Sequence, residues 1–201
     1  MQIDLSDTPL RQAEIRDWRQ VADITAEGFA EDPVNRFVFG NRRAILSGMR
    51  VMARDIYLKQ GFSHIHGDQG STLWLPPGVE SKFGPMTMLK FAIGQIRHGK
   101  KGALARGQVL SELMANYHPK EPHLYLFAIT TREAARGKGV GKALLDPVLA
   151  YADREGLPVY LENSNPANTG FYGSRGFERT ALFEVGEDGP VMEPMWREPL
   201  S

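Results

Sequence analysis

The stretch REAARGKGVGKALL, residues 132–145, places Gly137, Gly139 and Gly141 immediately before a leucine-rich helical pattern. Glycine at that density disfavours regular structure, but it lets a ligand approach the backbone closely. The first N–H groups of a helix have no intrahelical partner, and the helix dipole favours an anion beside them. Arg132, Arg136, Lys138 and Lys142 crowd the same stretch of a chain in which 24 basic residues balance 24 acidic ones. The combination suits a phosphate-bearing ligand; the plainer alternative is a solvated basic helix entrance. Two familiar phosphate patterns fail by position. A GxxxxGK[ST] loop ending at Gly141-Lys142 needs glycine where Arg136 stands and a hydroxyl where Ala143 stands. A GxGxxG fingerprint started at Gly137 meets Lys142, and one started at Gly139 meets Leu144.

A second group able to do chemistry is Glu162. In PVYLEN, residues 158–163, Tyr160 and Glu162 share one face of a strand, and Val159 and Leu161 share the other. A carboxylate near the end of a buried strand is costly without a partner. An amine substrate, or a water relaying its proton, is one such partner. A structural arginine or backbone N–H groups are the other, and the residue pattern leaves both open.

The elements that position these residues follow from periodicity. HLYLFAIT (123–130) is a continuous apolar run of the length and type of a strand buried on both faces. The glycine stretch, the helix GVGKALLDPVLAYADREG and the strand PVYLEN follow, an order that implies a parallel crossover. Upstream, AEIR (13–16) reads as a short strand. Asp17 is placed to cap a helix through WRQVADITAEGFAE that Asp32-Pro33 ends. NRRAILSGMRVMARDIYLKQ (41–60) reads as a helix with Ile45, Met49, Met52 and Ile56 at helical spacing. FSHIH and STLWLP flank GDQG as a hairpin. Two helical stretches between 84 and 117 form an insertion before the central strand. Downstream, NTGFYGSRGF is a short helix ended by Gly176, and FERTALFEV with PVMEPMWRE closes the chain as a hairpin over GEDG. The class is α/β with a mixed central sheet flanked by helices.

Arg136-x-x-Gly139-x-Gly141 resembles the pyrophosphate signature of the GNAT superfamily of acyl-CoA-dependent N-acyltransferases. FYGSRGF (171–177) is similar to the Phe-Tyr-x-x-x-Gly-Phe of the same superfamily, and Asn165 lies seven residues before Tyr172, where the superfamily often has asparagine. The likeness is best over 123–178. LWLPPG (73–78), PHLYL (122–126), LENSNPANTGFY (161–172) and PMWREP (194–199) further resemble the branch that includes puromycin N-acetyltransferase.

The resemblance implies a single GNAT domain over 1–201 that moves acetyl from acetyl-CoA to a primary amine, by direct attack in a ternary complex. It implies that the loop Arg136, Gly137, Lys138, Gly139, Val140, Gly141 and Lys142 holds the cosubstrate's phosphates. It implies that the backbones of Ile129 and Thr131 serve the pantetheine arm where the strands separate, and that Asn165 belongs to the same site. Tyr172 matches the superfamily's general acid, against the plainer reading of a core tyrosine. HLYLFAIT has no acidic residue, so the base some members place there is missing, and deprotonation falls to Glu162, to water, or to the neutral fraction of the amine.

Composition bounds the rest. With no cysteine, disulfides, thiolate metal sites and a cysteine acyl-enzyme are excluded. Zero formal net charge gives no global pull toward nucleic acid or anionic membrane. The N-terminal residues show no secretory pattern and no apolar run is long enough for a bilayer, so a cytoplasmic protein, a monomer or homodimer with a small-molecule amine substrate and no metal, is expected. His64, His66, His118 and His123 read as surface or capping histidines, Trp74 as core or a pocket wall, and Phe83, Met86, Met88 and Phe91 as core or the lining of an acceptor pocket. A non-catalytic acyl-CoA-binding module is the alternative function; it would keep Arg136, Gly139 and Gly141 without needing Tyr172.

Overall fold

The computed structural model describes residues 3–200. Its strands are β1 (Leu10–Gln12), β2 (His64–His66), β3 (Gly70–Leu75), β4 (Leu124–Thr131), β5 (Val159–Asn163), β6 (Glu178–Arg179), β7 (Phe183–Glu184) and β8 (Val191–Arg197). They form one sheet in the order β1-β2-β3-β4-β5-β8-β6, with β7 also on β8. Among the described residues only the central pair β4–β5 is parallel; the other pairs are antiparallel. The helices are α1 (Trp18–Gly28), α2 (Pro33–Phe39), α3 (Arg42–Val51), α4 (Leu58–Gln60), α5 (Pro85–His98), α6 (Ala103–Tyr117), α7 (Val140–Arg154) and α8 (Thr169–Gly173).

Apolar side chains cover both faces of the sheet. One core joins α1, α2 and α3 to Leu73, Leu75, Tyr125 and Tyr160. The other joins α7 to Trp74, Leu124, Leu126, Val159, Leu161 and Tyr172. The expected alternation in β5 is therefore observed, with Tyr160 in the first core and Val159 and Leu161 in the second. Gly70 lets α7 close on the sheet, because a Cβ there would lie 2.7 Å from Val140 and 2.8 Å from Leu144.

Three local expectations change. The first strand is Leu10–Gln12, not 13–16; Ala13 instead donates its N–H to the Ser63 carbonyl and Ile15–Asp17 is a 3-10 turn. The first helix stops at Gly28, and Asp32-Pro33 starts a new helix rather than ending the old one. Asp32 Oδ1 accepts from the Asn35 N–H at 2.8 Å, and Pro33 at the first helical position needs no N–H partner. The first arm of the closing hairpin is split into β6 and β7, both on β8.

Two irregularities shape the centre. Leu73 pairs with Ala128 but Trp74 with Leu126, so Phe127 is an extra residue in β4, a bulge that bends the strand. Between α3 and α4 the backbone widens to a π turn, Met52–Tyr57, a feature often found at functional sites.

Candidate active site

β4 and β5 pair from Leu124–Val159 only as far as Leu126–Leu161. Past that point, beginning at the Phe127 bulge, the β5-facing edge of β4 has no strand partner. The strands thus form an open fork, as the resemblance implied, and Ile129 and Thr131 lie on its free arm.

The glycine loop follows β4 directly. Gly137 has φ +74° and Gly139 φ +79°, values that favour glycine, and a Cβ at either would meet nothing within 4 Å. Among the described residues the N–H groups of Gly137, Gly139, Val140, Gly141 and Lys142 have no backbone acceptor, whereas Lys138 donates to Ala135 and Ala143 to Gly139. These free donors over open space fit a phosphate group. The Val140 side chain is buried against Leu10, Ala135 and Leu144, so it anchors the helix start while its amide faces out. Gly141 has room for contact with the Phe171 ring, 3.5 Å from where a Cβ would stand.

Arg136, Lys138 and Lys142 are exposed and make no ion pair among the described residues. Arg132 is different. Its guanidinium is held by Glu27 at 2.6 Å and Asp68 at 3.0 Å, and Nε donates to the Asp68 carbonyl, so it braces the loop against α1 and the β2–β3 turn. Arg136 lines a cleft of about 530 Å³ together with Glu27, Glu31, Arg36 and Arg42 from the helices opposite.

Glu162 sits on β5 one residue past the last pair of the fork. Its side chain is only 2 % exposed. Oε2 accepts the Tyr125 hydroxyl at 2.8 Å, while Oε1 is buried without a hydrogen-bond partner. His118 Nδ1 is 3.6 Å from Oε1, and its side chain is 36 % exposed. Tyr57, Tyr125 and Tyr160 surround the carboxylate. Burial raises all three phenols above their ordinary range, and the Glu162 charge adds to it. Tyr57 arrives from the end of the π turn and stacks on Phe127 at 4.4 Å between ring centroids.

Tyr172 lies on the other side of the fork, in the α7-side core with Leu126 and Leu161. Burial raises its phenol, and the Asp32 charge raises it further. Asp32 is itself buried, which raises its carboxyl despite the hydroxyl of Ser164 donating at 2.6 Å. Asn165 caps the following turn, Oδ1 accepting from Ala167 N–H at 3.1 Å, which leaves its amide NH2 as the group available to a ligand.

Asp32, Ser164, Tyr57, Tyr125 and His118 were not singled out as site residues from sequence. Asp32-Pro33 carries a usable signal for a helix start, a capping residue followed by proline, but the same pair fits a helix stop. His64 and His123 are buried rather than at the surface. Trp74 is fully buried core, while Met86 and Met88 are exposed, at 62% and 57%. No group of three or more metal-ligating side chains is assembled among the described residues.

Residues 95–177 match the family model described as the acetyltransferase (GNAT) family. An uncharacterised N-acetyltransferase of Schizosaccharomyces pombe is 24% identical over 94% of this chain and 83% of its own length. A Corynebacterium glutamicum structure, described as histone acetyltransferase HPA2 and related acetyltransferase, superposes with TM-score 0.71 at 24% identity over 96% of each chain. Arylalkylamine N-acetyltransferase 2 of Aedes aegypti superposes with TM-score 0.59 at 15% identity, covering 95% of this chain and 99% of that one. Both structural likenesses speak for the fold.

Proposed function

We propose that this chain is an acetyl-CoA-dependent acyltransferase of the GNAT superfamily, the family whose model it matches over residues 95–177, and that it acetylates a small primary amine by direct attack in a ternary complex. The observation that carries the reading is the fork. It lies between a loop of free N–H donors, a buried carboxylate with one unpartnered oxygen, and a buried tyrosine. Acetyl-CoA supplies the activated acyl thioester. The amides of Gly137 and Gly139–Lys142, with Arg136, Lys138 and Lys142, bind the diphosphate, and the open edge at Ile129 and Thr131 orients the pantetheine amides. The Asn165 amide adds a donor nearby.

Glu162 Oε1 takes the proton that makes the amine nucleophilic, and His118, with Nδ1 3.6 Å away and a partly exposed side chain, passes it out. The Tyr172 hydroxyl protonates the departing sulfur; its raised pKa keeps the phenol in the acid form across the neutral range. With no cysteine, no thiol is available for an acyl-enzyme. A small acceptor is favoured over a basic protein tail by charge: residues 81–111 carry Lys82, Lys90, Arg97, Lys100, Lys101 and Arg106 and no Asp or Glu.

The test is a library of primary amines screened by release of CoA thiol. With the best acceptor, Tyr172→Phe is expected to lower kcat by about a hundredfold while calorimetry shows unchanged acetyl-CoA affinity. Unchanged turnover would remove Tyr172 from the chemistry. Tight acetyl-CoA binding with no thiol release from any amine would favour a non-catalytic binding module.

A further inference from the structure

We propose that the outer face of α5 is a docking surface for an anionic lipid bilayer. Met86, Leu89, Ile93 and Ile96 follow the three-four-three spacing of one helical stripe and are 62%, 52%, 55% and 74% exposed. The stripe is not unfinished core. The opposite side of α5 is already closed onto α3: Gln95 Nε2 donates to the Ala44 carbonyl at 3.0 Å, Gly48 sits close against the Phe91 ring, and Gly94 sits against Ser47.

Charge selects the occupant. The segment 81–111 holds six Lys and Arg and no acidic residue, so the rest of a chain with zero formal net charge is net acidic. Lys90 is paired with Asp55 at 2.9 Å, but Lys82, Arg97, Lys100 and Lys101 make no ion pair among the described residues and all are exposed. A second copy pairing through this stripe would set these cations against themselves. An acidic protein would satisfy the charge, but the stripe is a ridge of flexible aliphatic side chains rather than a groove with shape to recognise. A bilayer needs no such shape. It accepts aliphatic side chains at the headgroup boundary while its anionic headgroups meet flanking lysines and arginines.

The test uses the full chain with vesicles of phosphatidylcholine alone and of phosphatidylcholine with phosphatidylglycerol. Co-sedimentation with the anionic vesicles only, weakened by added salt, is expected. Ile96→Ser, the most exposed site, should reduce it, and Ile93→Asp should abolish it. Lys100→Ala with Lys101→Ala should weaken it about thirtyfold. Acetyl-CoA affinity and circular dichroism should be unchanged in each variant, which separates loss of docking from loss of fold. No sedimentation with anionic vesicles at low salt, or equal sedimentation of the Ile93→Asp variant, overturns the proposal. So does self-association in the ultracentrifuge that Ile93→Asp abolishes, or capture by polyglutamate with no vesicle binding.

Discussion

At the scale of single residues, the loop glycines are the most sharply constrained part of the site. Gly139 combines a left-handed backbone, open space where a side chain would stand, and a free N–H. Gly139→Glu therefore does two separable things. The positive φ costs about 1–2 kcal/mol of stability, and a carboxylate takes the place of the anion. Acetyl-CoA binding by calorimetry should be lost while a cooperative melt remains. Retained micromolar affinity would sink the phosphate-cradle reading. This part of the site was legible in the sequence because all its signals are local: glycine spacing, basic neighbours and the helix that follows. The face of Glu162 was legible for the same reason, through strand alternation. Its surroundings were not. Tyr57, His118 and Tyr125 come from three other parts of the chain, and no spacing rule links them to residue 162. Arg132 shows the converse limit. Its local setting suggested a phosphate ligand, but Glu27, 105 residues away, claims it.

At the scale of elements, the fork is what distinguishes this sheet from a closed one. The Phe127 bulge and the end of pairing at Leu126–Leu161 leave several backbone groups of β4 facing an opening instead of a strand. Unpaired amides exchange with solvent unless a ligand covers them. Hydrogen exchange read by mass spectrometry should show 127–131 more labile than 124–126, with slowing in 127–131 and 137–142 on adding acetyl-CoA. Slowing confined to other segments would place the cosubstrate elsewhere. The order of the main elements was readable from periodicity, including the two inserted helices. The bulge was not, because one extra residue in an apolar run changes neither its composition nor its length. The helix at 33–39 was missed because Asp-Pro serves equally as a stop and as a start, and only the Asn35 amide at Asp32 decides between them.

At the scale of the whole molecule, stability should depend on a group that takes no part in the proposed chemistry. His64 is 1% exposed, and burial pushes its imidazole down to about 4. Its Nδ1 has no hydrogen-bond partner, so nothing in the fold rewards a proton there. The unfolded chain takes up that proton near the ordinary value of 6.5 and the native one does not. The contribution is fully present above pH 6.5 and is lost as pH falls toward 4, by about 1.4 kcal/mol per unit. Urea unfolding at pH 7 and pH 5 should show this loss in the parent and a smaller one in His64→Phe. An identical pH dependence in the variant would show that other groups set it. The charge distribution works at the same scale: a chain neutral in total has a basic, aliphatic shoulder on α5 and an acidic remainder, an asymmetry that the sum over the sequence hides.

The π turn at Met52–Tyr57 also sets the direction in which Tyr57 leaves the helix. Removing one residue from such a turn would restore ordinary α-helical winding. Each α-helical residue turns the chain by about 100°. An in-frame deletion of Arg54 would therefore swing Tyr57 off Phe127 and away from Glu162, while α3 kept its own packing. The winding of this one turn thus separates a carboxylate walled by three phenols from one walled by two.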